Sequence, residues 1–279
     1  MKNTVSFVDA IRETIESGEI SLPVFNHTGM KIQEELVKEN PDMEILEKTI
    51  VTDQALAGLV LQMANSSFYK GLSDILTVRS AIVRLGMREV GRLTLLGASK
   101  DQFRSKDKKL NFFMRRLWQH SVGCAMGARW LARRCKLGEL ESHAFFGGLL
   151  HDVGKLLILM VIEQMKQKGA SLPMTDALFD EAMISLHTVQ GYKLMKLWNM
   201  PEPYCVVVRD HHHREYDNSN ELLCLVRIAD AMCTHLGIGL QKSPDFIVSA
   251  MDEVHNLNLS EIDIAEMEIH LEDTSALVS

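Results

Sequence analysis

Ring side chains are scarce in this chain. Of its 279 residues only 6% are Phe, Trp or Tyr, and only 6 are proline. Runs that alternate apolar and polar residues are almost absent, which leaves little support for a sheet. Cys124, Cys135, Cys205, Cys224 and Cys233 are scattered, with no Cys-x-x-Cys pair. An odd set of unpaired thiols behind an N-terminus with acidic residues and no apolar leader predicts reduced cysteines in the cytoplasm, where they serve as core residues. No uncharged apolar run reaches the ~18 residues needed to cross a bilayer. Phe145–Ile162 comes nearest, but His151, Asp152 and Lys155 interrupt it. No membrane association is expected. A phosphate-binding Walker loop, a dinucleotide glycine fingerprint and a Gly-x-Ser-x-Gly elbow are all missing, so those enzyme classes lack support. The net charge of −7 argues against nucleic acid as the main partner.

Apolar residues instead recur at spacings of three and four, the helical period. Ile45, Leu46, Ile50, Leu56, Leu59, Val60 and Met63 form one stripe. Asn40-Pro41 reads as its helix start, an N-cap followed by proline in the first turn. Val78, Ile82, Leu85, Val90, Leu93 and Leu96 form a second stripe, with Gly86 marking a break between two short helices. Residues 99–116 are polar and carry seven Lys/Arg against two Asp. They are the best candidate for a boundary. With Arg129, Arg133 and Arg134 they form either a solvated face or a surface that steers an anion. Further helices are expected around 117–134, 142–163, 176–186, 188–199, 203–212 and 221–236. Residues 217–220, DNSN, read as a turn with a helix cap, and residues 241–279 as an acidic, less periodic extension. The fold class is therefore all-α.

The most informative residues are 151–155, HDVGK, within the apolar stretch FFGGLLHDVGKLLILMVI. Burying an unpaired polar group costs about 2–7 kcal/mol, so His151 and Asp152 must be paired or bound to an ion. On a helix the two point about 100° apart, and both still reach an ion beside it. Lys155, at i+4 from His151, faces the same side. His120 lies upstream. His187, His211, His212, His213 and Asp230 lie downstream. Each has an ordinary explanation alone: a solvated His211–His213 loop, a helix-end His187, an Asp230 paired with Arg227. Their combination on apolar helices points to a metal site of imidazole and carboxylate rather than thiolate. Two ions ~4 Å apart would clamp a phosphate and activate a water.

In this order, His120, His151-Asp152, His187, His211-His212 and Asp230 resemble the HD superfamily of metal-dependent phosphohydrolases, and within it the HD-GYP and HDOD branches. Residues 187–212, HTVQGYKLMKLWNMPEPYCVVVRDHH, are similar to the shared His-x-x-x-Gly, Trp-x-x-Pro and His-His segment of those branches. The N-terminal half resembles HDOD through Leu22-Pro23, TDQALAGLVLQMANSSFY (52–69) and SAIVRLGMREVGRLTLL (80–96). ANSSFY (64–69) itself reads as a turn closing a helix. The Gly-Tyr-Pro segment of HD-GYP proteins is absent. Arg116 stands where some of them carry a glutamate, so a third ion is not expected.

The resemblance implies an HD/HDOD-type helical bundle. Residues 1–105 would form an N-terminal lobe packed on an HD-like lobe of residues 106–240, with 241–279 as an extension. It implies one ion on His120, His151, Asp152 and Asp230, with Asp152 bridging to a second on His187, His211 and His212. Counting from Pro201 selects His211-His212 as the pair; counting back from Asp217 selects His212-His213. Helix phase from Trp-x-x-Pro favours the first. Fe or Mn is the favoured ion, with Zn, Ni or Mg admissible. Two functions follow. One is hydrolysis of a phosphoester such as a nucleotide or cyclic dinucleotide, with Asp152 and Lys155 as catalytic residues and Lys155 on a phosphate oxygen. The other is a non-catalytic signalling module with a structural or vestigial metal site and a signalling protein as partner, because many HDOD proteins have lost the ligands.

Overall fold

The computed structural model describes residues 6–17, 27–65, 74–170 and 175–278. Among them every regular element is helical: fourteen α-helices, three short 3-10 turns and no strand. The chain divides into two compact units, Val24–Gln102 and Met1–Pro23 together with Phe103–Ser279.

The division falls at 102/103, inside the polar stretch, but the first helix does not follow the expected 1–105 lobe. Helix α1 (Phe7–Glu16) buries Phe7, Val8 and Ile11 and packs on elements of the second unit. Three buried side chains at about 1.5–3 kcal/mol each hold it there, an affinity that sequence adjacency does not reveal.

The Val24–Gln102 unit contains α2 (His27–Leu36), α3 (Met43–Val51), α4 (Gln54–Ala64), α5 (Val78–Leu85) and α6 (Met87–Lys100). Its core is the predicted double stripe, including Leu46, Ile50, Leu56, Val60, Val78, Ile82, Val90 and Leu93. Gly86, at φ 86°, makes the expected break between α5 and α6. The start expected at Asn40-Pro41 is corrected by the cap chemistry. Asp42 is the N-cap of α3, and its carboxylate accepts from the amides of Glu44 (2.7 Å) and Ile45 (3.3 Å). Asn65 donates to the Leu61 and Ile75 carbonyls and accepts from the Ile75 amide, so it pins the return of the chain. Leu22-Pro23 and residues 66–69, both part of the resemblance, lie outside the described residues.

The second unit is built around α7 (Lys108–Arg134), whose 27 residues cross α8 (Glu141–Leu150) and α12 (Glu221–Leu236). Then α9 (Val153–Gln167) packs on α10 (Asp176–Leu197), which leads to α11 (Glu202–Asp210). The polar stretch is only partly a linker, because α7 begins at Lys108 within it. Its N-cap is Asp107. Helix α10 runs through position 187 as one element rather than two. The expected cap at 217–220 is present: the Asn220 side chain accepts from the Leu223 amide. The chain beyond 240 is no loose extension. After α13 (Asp252–Asn256), α14 (Glu261–Val278) lies on α7, burying Ile264, Met267 and Leu271. Their three-four spacing was present in an acidic context that masked it.

The Gly138–Gln167 stretch is long and apolar enough to cross a membrane, but 89% of its apolar window is buried inside the protein. It is a core element, broken at His151-Asp152. Several basic residues of 100–134 meet acidic partners within the unit: Lys109 with Asp176 (2.9 Å), and Arg134 with Asp263 and Glu266.

Candidate metal centre

The donors come from ends and middles of six helices. His120 projects from the middle of α7. His151 follows the last residue of α8, and Asp152 is the N-cap of α9, with φ −103° and ψ 17°. The doublet thus sits at a break between two helices, not on one helical face as expected. The break depends on a close crossing, since a methyl group on Gly154 would collide with the His187 carbonyl. His187 lies mid-way along α10, His211 caps the C-terminus of α11, and Asp230 is on α12.

These groups converge on Asp152, which is 1% exposed. Its Oδ2 lies 3.5 Å from His120 Nε2 and 3.4 Å from His151 Nε2. Its Oδ1 lies 3.6 Å from His187 Nε2 and 3.4 Å from His211 Nε2. One carboxylate oxygen therefore faces each histidine pair. Asp230 Oδ1 is 3.0 Å from His120 Nε2, and its Oδ2 is 3.8 Å from His212 Nδ1. His213 is elsewhere, with Nδ1 2.7 Å from the Glu215 carbonyl. Between the two alternatives, His211-His212 is the pair brought to the cluster.

Backbone carbonyls orient three of the rings. Nδ1–H donates to Ile238 O from His120 (2.9 Å), to Gly148 O from His151 (2.7 Å) and to Val208 O from His211 (3.0 Å). In that tautomer each Nε2 turns a lone pair towards the cluster, the arrangement that ligating imidazoles require. Five buried atoms there lack a hydrogen-bond partner: His151 Nε2, Asp152 Oδ1, both ring nitrogens of His187 and His211 Nε2. Each costs about 1–3 kcal/mol unsatisfied. Divalent metal beside Asp152 would satisfy four of them, all but His187 Nδ1. With metal–nitrogen bonds of about 2.0–2.1 Å, tetrahedral donors stand about 3.4 Å apart, close to the separations seen here. Two donor sets are each mutually within 4.8 Å: His120, Cys124, His151 and Asp230; and Asp152, His187, His211 and His212. The residues present fit a divalent ion.

The electrostatics are uneven. Burial pushes the Asp152 carboxyl up, but Lys155 and the surrounding histidines hold it well below the usual carboxylate range. Burial also opposes charge on Asp230, which His120 nonetheless keeps ionised. Burial disfavours a charged His120 and His151, yet Asp230 and Asp152 raise both. His187 is depressed by burial to about 3, and His212 by burial and by His211 to about 4. Lys155 Nζ sits 2.6 Å from Asp152 Oδ2, so its partner is Asp152 at i+3 rather than a group alongside His151.

Three groups were not foreseen. Cys124, expected as plain core, has Sγ 3.6 Å from His120 Nε2. Its i+4 spacing from His120 was a readable signal. Arg227, a possible partner of Asp230 by spacing, turns away from it. It pairs with Glu253 and donates through Nη1 to the carbonyls of Asp210 (3.1 Å), His211 (2.8 Å) and His213 (3.0 Å), with its guanidinium 4.0 Å from the Tyr216 ring. Arg116 donates to the Gly237 carbonyl (2.9 Å), next to the Ile238 carbonyl that orients His120. A small cavity of about 90 Å³, partly open to solvent, reaches the cluster. Asp152, Lys155, His212 and Asp230 are at its floor, with Phe113 and Phe179 in its wall, stacked at 4.2 Å.

Several solved structures share this fold. A structure of an HDOD domain protein of unknown function from Geobacter sulfurreducens superposes with a TM-score of 0.76 at 21% identity, over 97% of this chain and 95% of that one. A signal transduction candidate from Marinobacter aquaeolei VT8 gives 0.71 at 20%, covering 99% of this chain and 65% of that one. A candidate metal-dependent phosphohydrolase from Shewanella amazonensis SB2B gives 0.63 at 16%, over 95% and 97%. At these identities the likeness is one of fold. An uncharacterised protein of Treponema pallidum (strain Nichols) is 26% identical over 183 residues, or 63% of this chain and 35% of that protein. The chain thus spans about a third of that curated relative. Residues 22–214 match the HDOD domain, which is more than half of the sequence, and the chain belongs to the HDOD family.

Proposed function

We propose that this HDOD protein binds divalent metal at Asp152 and hydrolyses a phosphoester, with a nucleotide or cyclic dinucleotide as the substrate class. The observation that carries the reading is the division of Asp152: Oδ2 faces His120 and His151, and Oδ1 faces His187 and His211. His120, His151, Asp152 and Asp230 would hold one ion; Asp152, His187, His211 and His212 would hold a second. Such ions, Fe or Mn by preference, supply positive charge against a phosphoryl oxygen and acidify water. Lys155 would release Asp152 Oδ2 and bind a phosphate oxygen, because its ammonium lines the pocket beside Asp152. Asp230 and Asp152 would keep the imidazoles of the first set charge-compensated while substrate enters. A cytoplasmic location is part of the same proposal, since phosphorylated signalling molecules are found there.

One observation favours a second reading. Lys155 already gives Asp152 a counter-charge at 2.6 Å, as a metal would. In that reading the cluster is structural, and the protein signals by presenting a helical surface to a protein partner. The deciding experiment is elemental analysis of chelator-free protein, followed by turnover of bis-p-nitrophenyl phosphate and cyclic dinucleotides with Mn or Fe supplied. Metal at half occupancy or more, with turnover abolished in Asp152→Ala, supports the enzyme. Metal without turnover of any of these esters supports the signalling module. No metal and no uptake ends both metal readings.

A further inference from the structure

The cluster contains a donor that an all-nitrogen-and-oxygen site does not use. Cys124 is 0% exposed and sits one helical turn after His120 on α7, with Sγ 3.6 Å from His120 Nε2. Sγ, His120, His151 and Asp230 offer atoms that all lie within 4.8 Å of one another. His151 is also 0% exposed, and its Nε2 has no hydrogen-bond partner. The four donors come from three segments: α7, the end of α8 and α12. The Cys233 thiol lies beside it, and its other polar neighbours are two imidazoles and a carboxylate.

We propose that Cys124 is a further ligand of the first ion, adding one thiolate to the two histidines, the Asp230 carboxylate and the bridging Asp152 carboxylate, so that the subsite takes a thiolate-tolerant divalent cation. The inference rests on the metal-binding part of the proposed function and adds the identity of a donor. Coordination forms a sulfur–metal bond and releases the thiol proton to solvent, with no change of oxidation state. Thiolate suits Zn²⁺, Fe²⁺ and Co²⁺, whereas Mg²⁺ and Mn²⁺ prefer oxygen. The two subsites then differ in kind. The one around His187 and His211 has only nitrogen and oxygen donors, and can take a harder ion alongside a softer one at Cys124.

The test is the absorption spectrum of full-length protein titrated with Co²⁺, with cobalt stoichiometry measured in parallel. The expected result is a thiolate-to-cobalt charge-transfer band in the near ultraviolet that grows with the first equivalent. It should be lost in Cys124→Ser and kept in Cys233→Ser, the neighbouring thiol on α12. Direct competition between Zn²⁺ and Mn²⁺ adds a readout in the wild-type protein. Zinc preference at the first site should fall at least tenfold in Cys124→Ser, or in Cys124→Ala should the serine variant misfold. Cobalt bound at full stoichiometry without the band overturns the thiolate ligand and leaves the metal site standing. A band that survives Cys124→Ser overturns the assignment to Cys124. Failure to take up cobalt at all overturns both this inference and the metal reading beneath it.

Discussion

The two donor sets that meet at Asp152 are built on different principles. Around His120 and His151, every ring has its Nδ1 on a carbonyl, and Asp230 lies 3.0 Å from His120 Nε2. Asp230 and Asp152 favour charge on those two imidazoles against the cost of burial, so without an ion the set supplies its own counter-charge. Around His187, neither ring nitrogen has a partner, the ring is buried, and it resists protonation. A protonated set tolerates the absence of a cation. A buried neutral set with unpaired lone pairs gains most from one. Asp152 is the joint between them, and the comparison can be broken at that residue first.

Asp152→Ala carries the largest expected effect. It removes the carboxylate that faces both histidine pairs and leaves His187 and His211 without a counter-charge beside them. Both ions should be lost, and any phosphoesterase activity with them. An ion at a hundredfold excess over its Kd stabilises the folded state by about 2.7 kcal/mol. In a chain of this size that is on the order of 5–10 °C in melting temperature. Calorimetry should show chelation and Asp152→Ala lowering the melting point by similar amounts, without adding. A variant that keeps its full metal content would sink the bridging role.

Arg227→Ala comes next, because it acts on one side of the comparison only. Arg227 never touches the donors, yet its guanidinium gathers the carbonyls of Asp210, His211 and His213. Removing a charged donor from such carbonyls costs about 1.5–3 kcal/mol per bond at most, less where water replaces it. Metal analysis should show the second ion weakened and the first retained. Lysine at this position should rescue poorly, since an ammonium cannot copy the planar fork. Equal loss of both ions would mean that Arg227 supports the fold as a whole.

Much of this was legible in the sequence, for a physical reason. Helical period and buried polar outliers are local signals, so the all-α class could be read from the sequence, as could the set of residues that gathers around Asp152, namely His120, His151, His187, His211, His212 and Asp230. What could not be read depends on contacts distant in the chain. α1 packs with the second unit through three apolar side chains. α14 hides a buried stripe in an acidic tail. Arg227 looked like a partner for Asp230 by local spacing, and a carboxylate 26 residues away, Glu253, pairs with it instead. The break at His151-Asp152 is invisible in an apolar run. It is set by the crossing at Gly154, where Gly154→Ala should destabilise the second unit because backbone cannot move aside as a side chain can.

His212→Ala has a smaller effect. Its ring is nearly half exposed, at 47%, and its Nδ1 stands 3.8 Å from Asp230, one of the longer contacts of the cluster. One ligand of the second ion is lost while Asp152, His187 and His211 stay. Titration calorimetry should show the second binding event weakened by roughly one to two orders of magnitude, the scale at which supporting groups tune metal affinity, and the first unchanged. His213→Ala should leave both events as they are, since its ring is turned to Glu215.

The smallest effect is a divergence in pH behaviour, and it tests the comparison most directly. His187 has a folded-state pKa near 3, below the ~6.5 of an unfolded histidine. Its contribution to stability is present above pH ~6.5 and is lost as pH falls towards the folded value. His120 and His151 are raised, so their contribution is full below ~6.5 and is lost as pH rises through their folded values. His212 goes with His187, more weakly because solvent screens its half-exposed ring. In metal-free protein at pH 6, histidine-resolved NMR should therefore find His120 and His151 protonated and His187 neutral. Protons compete with metal for the same nitrogens. As a metal-loaded sample is acidified from pH 7.5, the ion at His120 and His151 should leave first, and the ion at His187 and His211 at a lower pH. Loss of both ions in one step at one pH would show that the two sets titrate as a single unit through Asp152, and the contrast between them would have to be given up.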